Sequence, residues 1–190
     1  MTLLDRVRDL VRSECLAPTN AFGPVFLEEH LGVVAALCRR LGPPLGADPV
    51  RLELAAWLHD LAAVRDLGCL TTHAEAGAAL AREVLPRLGA PEADVQAVSA
   101  AIAAHSAPVQ PGAGPAEAVA LAAADVLSHL ERPAYWFHYL YRVRGMDLAC
   151  ALAWWRGRVE GAYPQLPPAA RAVGAEAHAR AAWLLEAPRR

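Results

Sequence analysis

Apolar positions recur every three or four residues along this chain, and no convincing alternation of period two appears, so the pattern predicts an all-α fold. Leu3, Leu4, Val7, Leu10 and Val11 predict a first amphipathic helix ending near Leu16, with a packing role. A break from Pro18 to Pro24 follows, and Pro24 opens a second helix over about 25–41, which Gly42 to Gly46 terminate. Asp48-Pro49 places an N-cap acid before a proline at the first helical position, and launches a third helix that runs through Leu52 to Val64. Thr72-His73-Ala74-Glu75 matches a capping box and predicts a fourth helix from Thr72 to about Leu88. A fifth spans Pro91 to His105, ended by Ser106 and Pro108, and a sixth spans Ala116 to Leu130. Pro111 to Pro115 reads as a linker without a phosphate-binding pattern. Two more helices are predicted over about 134–161 and 168–186.

Polar residues interrupt three of these apolar runs. His59-Asp60 sits within Leu52 to Val64, Asp125 stands among the alanines and leucines of the sixth helix, and His30 falls on or beside the buried stripe of the second. Burying an unpaired imidazole or an ionised carboxylate costs several kcal/mol, at about 1–3 kcal/mol for a neutral group and more for a charge. No arginine stands three or four residues from Asp125 to pair with it. A divalent cation would satisfy these groups, because neutral imidazole and carboxylate are its usual ligands. The simpler readings are a helix-end histidine beside a surface turn for His59-Asp60, a hydrogen-bonded core histidine for His30, and a C-capping role for His105. His73 lies at the mouth of the fourth helix.

Size and charge narrow the partner classes. At 190 residues the chain fits one domain with an ample core. A net charge of −2 and a pI near 6.4 give no global basic field, which argues against nucleic acid as the main partner and favours small molecules. All 18 basic residues are arginine, so Walker-type lysine loops and Schiff-base lysines are excluded. Cys15, Cys38, Cys69 and Cys150 are far apart and form no CxxC pair, which reads as reduced thiols in a cytoplasmic protein. Charged residues break up the N-terminal segment, and no run approaches the roughly 18–20 apolar residues needed to span a bilayer, so no membrane association is expected. Many surface alanines and leucines with little net charge make a homodimer an expectation.

His30, then His59-Asp60 about thirty residues on, then Asp125 some sixty-five later, resembles the HD domain superfamily of metal-dependent phosphohydrolases. The resemblance covers about residues 24–131 and implies a single HD-type helical bundle over 1–190, with additional C-terminal helices over about 132–190. It implies that His30, His59, Asp60 and Asp125 coordinate a divalent metal ion. His73, in Thr-His-Ala-Glu-Ala-Gly-Ala, and His105, in Ile-Ala-Ala-His-Ser, resemble the pair that binds a second metal in dinuclear branches, with Asp60 bridging. In mononuclear branches the equivalent residues face substrate phosphate. The lysine that often follows the pair is absent, with Leu61 to Val64 in its place and Arg65 the nearest cation. The HD-GYP signature is missing too, so no specific substrate transfers.

The chemistry the resemblance implies is hydrolysis of a nucleotide or other small phosphate ester by a water that one or two ions make acidic, from a pKa of about 16 toward about 7. Asp60, His73, His105 and Arg65 are the expected catalytic residues, the last three meeting a second metal or the phosphate. Manganese, iron, cobalt, nickel and zinc all suit this ligand set. Tyr135, Trp136, Tyr139 and Arg142 have the chemistry to stack on a base and pair a distal phosphate, and equally the spacing of a packed helix face. His129, one turn past Asp125, is a supporting candidate, while His138 and His178 read as surface or packing residues. Two other functions remain open: an HD-fold di-iron oxygenase, and a non-catalytic HD-fold module that binds a ligand.

Overall fold

The helix ends follow signals in the chain. Thr2 and Asp5 exchange side-chain hydrogen bonds with each other's backbone N–H at 3.1 and 2.8 Å, a closed capping box that starts α1 (Leu3–Cys15). Asp48 accepts from the Val50 and Arg51 amides ahead of Pro49, as its position predicts, and starts α3 (Pro49–Leu58). Between them α2 (Gly32–Leu45) ends at Gly46, whose φ of +74° is the left-handed stop that suits glycine.

This computed structural model describes residues 1–106 and 114–186. The remaining helices are α4 (Leu61–Arg65), α5 (His73–Arg87), α6 (Glu92–Ala104), α7 (Ala116–Glu131), α8 (Pro133–Arg142), α9 (Leu148–Arg156) and α10 (Pro168–Glu186). A π-helical turn at Leu27–Leu31 leads into α2 and another at Gly157–Ala162 leaves α9, while 3-10 turns occupy Leu67–Thr72 and Tyr163–Gln165. There is no strand among the described residues, so the all-α expectation holds. No described helix is long and apolar enough to cross a membrane. Pro108, expected to end the fifth helix, and residues 111–113 of the predicted linker lie outside the described residues.

Helix α7 is the hub. It packs on α2, α3, α6 and α10, and its buried alanines 118, 120, 122, 123 and 124 let those neighbours approach closely. Around it α5 lies along α6 and α2 along α3, with α1 closing the outside of α3 and α4. One connected apolar core runs from Val7 in α1 to Ala181 in α10, so the C-terminal helices share the core of the rest. The Trp155 indole, fully buried, donates to the Ala181 carbonyl at 3.2 Å and ties α9 to α10.

Four local expectations need correction. The third helix does not run unbroken to Val64: α3 stops at Leu58 and Asp60 sits at φ −103°, ψ 3° before α4 begins. The second helix opens with a π turn and extends past Gly42 through Pro43 and Pro44. Thr72 makes no capping bond; its hydroxyl donates to the Cys69 carbonyl at 3.4 Å, because a 3-10 turn already feeds α5. The long helix expected over 134–161 is split at residues 143–147, where Asp147 caps α9 by accepting from the Cys150 amide at 2.7 Å.

Candidate metal centre

Each helix delivers its polar residue to one place. The π turn at Leu27–Leu31 carries His30, the break between α3 and α4 carries His59 and Asp60, and the mid-length of α7 carries Asp125. In an unbroken helix neighbours such as His59 and Asp60 would point about 100° apart. The break turns them toward a common centre: Asp60 Oδ2 lies 3.5 Å from His59 Nε2 and 3.2 Å from His30 Nε2. Asp125 Oδ1 lies 3.5 Å from His30 Nε2 and 3.9 Å from His59 Nε2. The other oxygen of Asp60 faces a second group, with Oδ1 at 3.8 Å from His73 Nε2, which in turn is 3.2 Å from His105 Nε2. Two sets, His30–His59–Asp60 and Asp60–His73–His105, therefore have the spacing to hold an ion each, and they share one carboxylate.

The orientation and neutral tautomer of these imidazoles are fixed by their outer nitrogens. Nδ1 of His59, His73 and His105 lies 2.9, 2.9 and 2.6 Å from the carbonyls of Ala56, Leu70 and Ile102, so each donates from Nδ1, and the neutral ring presents Nε2 as a lone pair. His30 reaches the same state through Ser128. That hydroxyl donates to the Asp125 carbonyl at 2.7 Å and so accepts from His30 Nδ1 at 3.0 Å. With both rings neutral in this tautomer, His30 Nε2 and His59 Nε2 face each other at 3.2 Å, buried, as two lone pairs. Two lone pairs at that distance beside ionised carboxylates repel unless a cation lies among them, which is the coordination a divalent metal requires. Within the second set, the exposed Ser106 hydroxyl stands 3.2 Å from His73 Nε2 and is able to donate to it.

The electrostatics agree. Burial holds the His59 imidazole down to about 4, and Asp60 pulls the other way without overcoming it. Burial also presses on both carboxylates, yet positive charge beside them outweighs it: imidazolium charge at His59, with the hydrogen bond and charge of His30 and the charge of His73, keeps Asp60 well below the carboxylate range, and that of His129, His30 and His59 brings Asp125 to about 2, a part that a bound cation plays when the rings are neutral. Protein stripped of metal is expected to lose thermal stability as pH falls from about 6.5 toward 4. Over that interval the unfolded chain takes up a proton that buried His59 refuses, so stability falls with pH. A melting temperature flat between pH 7 and 4.5 would contradict this.

Ser128 was not legible as a site residue, although it lies three positions after Asp125 on the same helix face. Ser128→Ala is expected to free the His30 ring and weaken metal affinity by roughly 10–100-fold. Competition with a chelator measures this, and an unchanged affinity would remove Ser128 from the site.

Arg65 is a correction. The short α4 turns it toward α1, where its guanidinium pairs with Glu14 at 2.6 Å, and it does not reach the cavity. His129 does: its Nδ1 donates to the Asp125 carbonyl at 2.7 Å and burial lowers it to about 3. Tyr135 is spent on structure, its hydroxyl donating to the Phe22 carbonyl at 3.1 Å, and Arg142 and His138 are exposed outside the cavity. His178 stacks on Tyr163 at 3.8 Å, a packing role. The cavity over the carboxylates, about 190 Å³, is also lined by Trp136, Tyr139, Arg144, Trp154 and Arg158. Of these, Trp154 and Arg158 carried no earlier signal, since nothing local separates them from the other residues of α9 and the turn after it.

Comparison with known proteins follows the same line. The family model described as HD domain matches residues 27–130, just over half the chain. A crystal structure of a protein described as a predicted HD superfamily hydrolase, from an uncultured Thermotogales bacterium, superposes with a TM-score of 0.63 at 20% identity, covering 96% of this chain and 88% of that one. That likeness shows the fold. No curated protein matched the chain.

Proposed function

The chain belongs to the HD domain family, and from that membership we propose that it is a metal-dependent phosphohydrolase acting on a small phosphate ester. The observation that carries the proposal is the pair of His/Asp triads sharing Asp60, with bare Nε2 atoms converging in each. Divalent ions held by such ligands supply Lewis acidity and lower the pKa of water enough for attack on phosphorus near neutral pH. His30, His59 and Asp125 would hold one ion and His73 and His105 the other, with Asp60 offering an oxygen to each. The chain's own part is positioning. Backbone carbonyls and Ser128 lock the four imidazoles, which spares the reorganisation that loose ligands would need. Asp60 and Asp125 expose 13% and 21% of their side chains, so the carboxylates alone of the first set open to the cavity where a phosphoryl group would sit.

Elemental analysis of protein purified without added metal tests this, beside His59→Ala and Asp125→Ala, followed by phosphate release over a panel of phosphate esters. One or two ions per chain in the parent, lost in both variants together with phosphate release, is the supporting outcome. No metal retained, and none regained with manganese, cobalt or zinc, overturns it. Iron with oxygen uptake and no phosphate release would move the protein to the di-iron oxygenase chemistry that the same ligands serve.

A further inference from the structure

We propose that Arg144 and Arg158 form an anion subsite in the cavity of the metal centre, so that the preferred substrate is a compact phosphate ester carrying a second anionic group, such as a small bisphosphate. The proposal rests on the phosphohydrolase reading for what happens to the substrate, and on the cavity alone for what binds there. Both arginines line the cavity that Asp60, His73 and Asp125 floor, and both come from the segment beyond the family-matched residues 27–130. Neither forms an ion pair among the described residues, whereas Arg8, Arg39, Arg51 and Arg65 each hold a carboxylate. Neither pairs with Asp60 or Asp125 among the described residues, although all four line the same cavity of about 190 Å³. Two arginines that line a cavity and hold no ion-pair partner among the described residues are a receptor for phosphate or carboxylate, which arginine binds by paired N–H donors.

The positions are built. Arg158 lies in the π turn Gly157–Ala162, as His30 lies in the π turn Leu27–Leu31, and both π turns thus deliver a residue to this centre. The Arg158 guanidinium rests over the Trp154 ring at 4.8 Å, a cation–π contact that holds it half-buried, and its charge is felt at His129, one turn from Asp125. Arg144, just before the Gly145 turn, stands against Tyr139 and offsets part of the rise that burial imposes on that phenol.

The aromatic wall is already engaged and leaves no ready slot for a base. Trp154 stacks on Trp136 at 5.8 Å as well as carrying Arg158, Trp136 packs on His129 at 4.2 Å, and Tyr139 stacks on Phe22 at 5.2 Å. The Trp136 indole N–H, buried without a partner among the described residues, adds a donor on the same wall. A volume of about 190 Å³ falls below the roughly 300–1,000 Å³ of ordinary small-molecule pockets. Small size, two facing arginines and self-packed aromatics favour a compact dianion over a nucleoside.

The test compares 1,3-propanediol bisphosphate, p-nitrophenyl phosphate and AMP on the manganese-loaded protein and on Arg144→Gln, Arg158→Gln and Arg82→Gln, the last an exposed α5 arginine outside the cavity. The parent should favour the bisphosphate at least tenfold in kcat/KM. Each cavity variant should raise its KM at least tenfold more than that of p-nitrophenyl phosphate, with Arg82→Gln like the parent. A preference for AMP overturns the proposal in favour of a nucleoside pocket. An equal fall in kcat on all three overturns it in favour of a clamp on the reacting phosphoryl, and no change marks two surface arginines. Calorimetry with inorganic pyrophosphate on the same proteins reads the subsite without turnover. Binding weakened tenfold in both cavity variants, with no phosphate release from any ester, would leave the subsite standing and the phosphohydrolase reading refuted; binding unaffected by them would refute the subsite.

Discussion

Asp60→Asn will empty both triads at once, and phosphate release will fall by more than the roughly 10–100-fold that loss of a mere supporting group costs. Its two oxygens face different histidine pairs, Oδ2 toward His30 and His59 and Oδ1 toward His73, so one substitution removes a ligand from each set. The amide is nearly isosteric, and it removes a buried negative charge that only the surrounding imidazoles, or an ion, keep ionised. Metal-free protein should therefore melt no lower with Asn than with Asp, while its metal content falls from one or two ions toward none. His73→Ala, by contrast, should cost the second set alone, because His73 touches neither His30 nor His59. Elemental analysis of the two variants side by side separates the outcomes: equal losses would mean that Asp60 does not join two sites.

Gly77→Ala should destabilise the protein by about 1–3 kcal/mol, the usual range for overpacking, a fall in Tm of roughly 2–12 °C. A Cβ at position 77 would stand 2.6 Å from the His59 carbonyl oxygen and 3.2 Å from Ile102 Cγ2. The first contact is with backbone, which has no rotamer to escape into. Helix α5 would be forced off the break that aims His59 and Asp60, so metal affinity should fall together with Tm. The Gly-Ala element that follows His73 thus has a steric origin: only a glycine lets α5 lie directly on the backbone of the His-Asp pair. A thermal scan and a metal titration check both effects, and an unchanged Tm would show that α5 and α3 have room to part.

Helical content was plain in the chain because apolar periodicity and caps are local. Asp48 and Pro49 act within one turn of themselves, and the terminus they marked is found there. His30, His59, Asp60 and Asp125 stood out for an equally direct reason: titratable groups set in apolar runs must find a partner, and the runs contain none. The break at Asp60 and the two π turns were invisible, since they arise where packing against α5 and α7 overrides an unbroken local preference. Arg65 misled because closeness in sequence to the His-Asp pair was taken for closeness in space, while a five-residue helix carries it to Glu14.

The order of polar residues along the chain thus decided which side chains are candidate cation ligands, and the apolar spacing decided that helices carry them, because both depend on chemistry within a few positions. Tertiary structure alone decided that the two oxygens of Asp60 face opposite histidine pairs, that Ser128 sets the proton of His30, and that Arg144 and Arg158 stand over the cavity. Those relations join residues dozens of positions apart, and they exist only once α7 has gathered its neighbours around a common core.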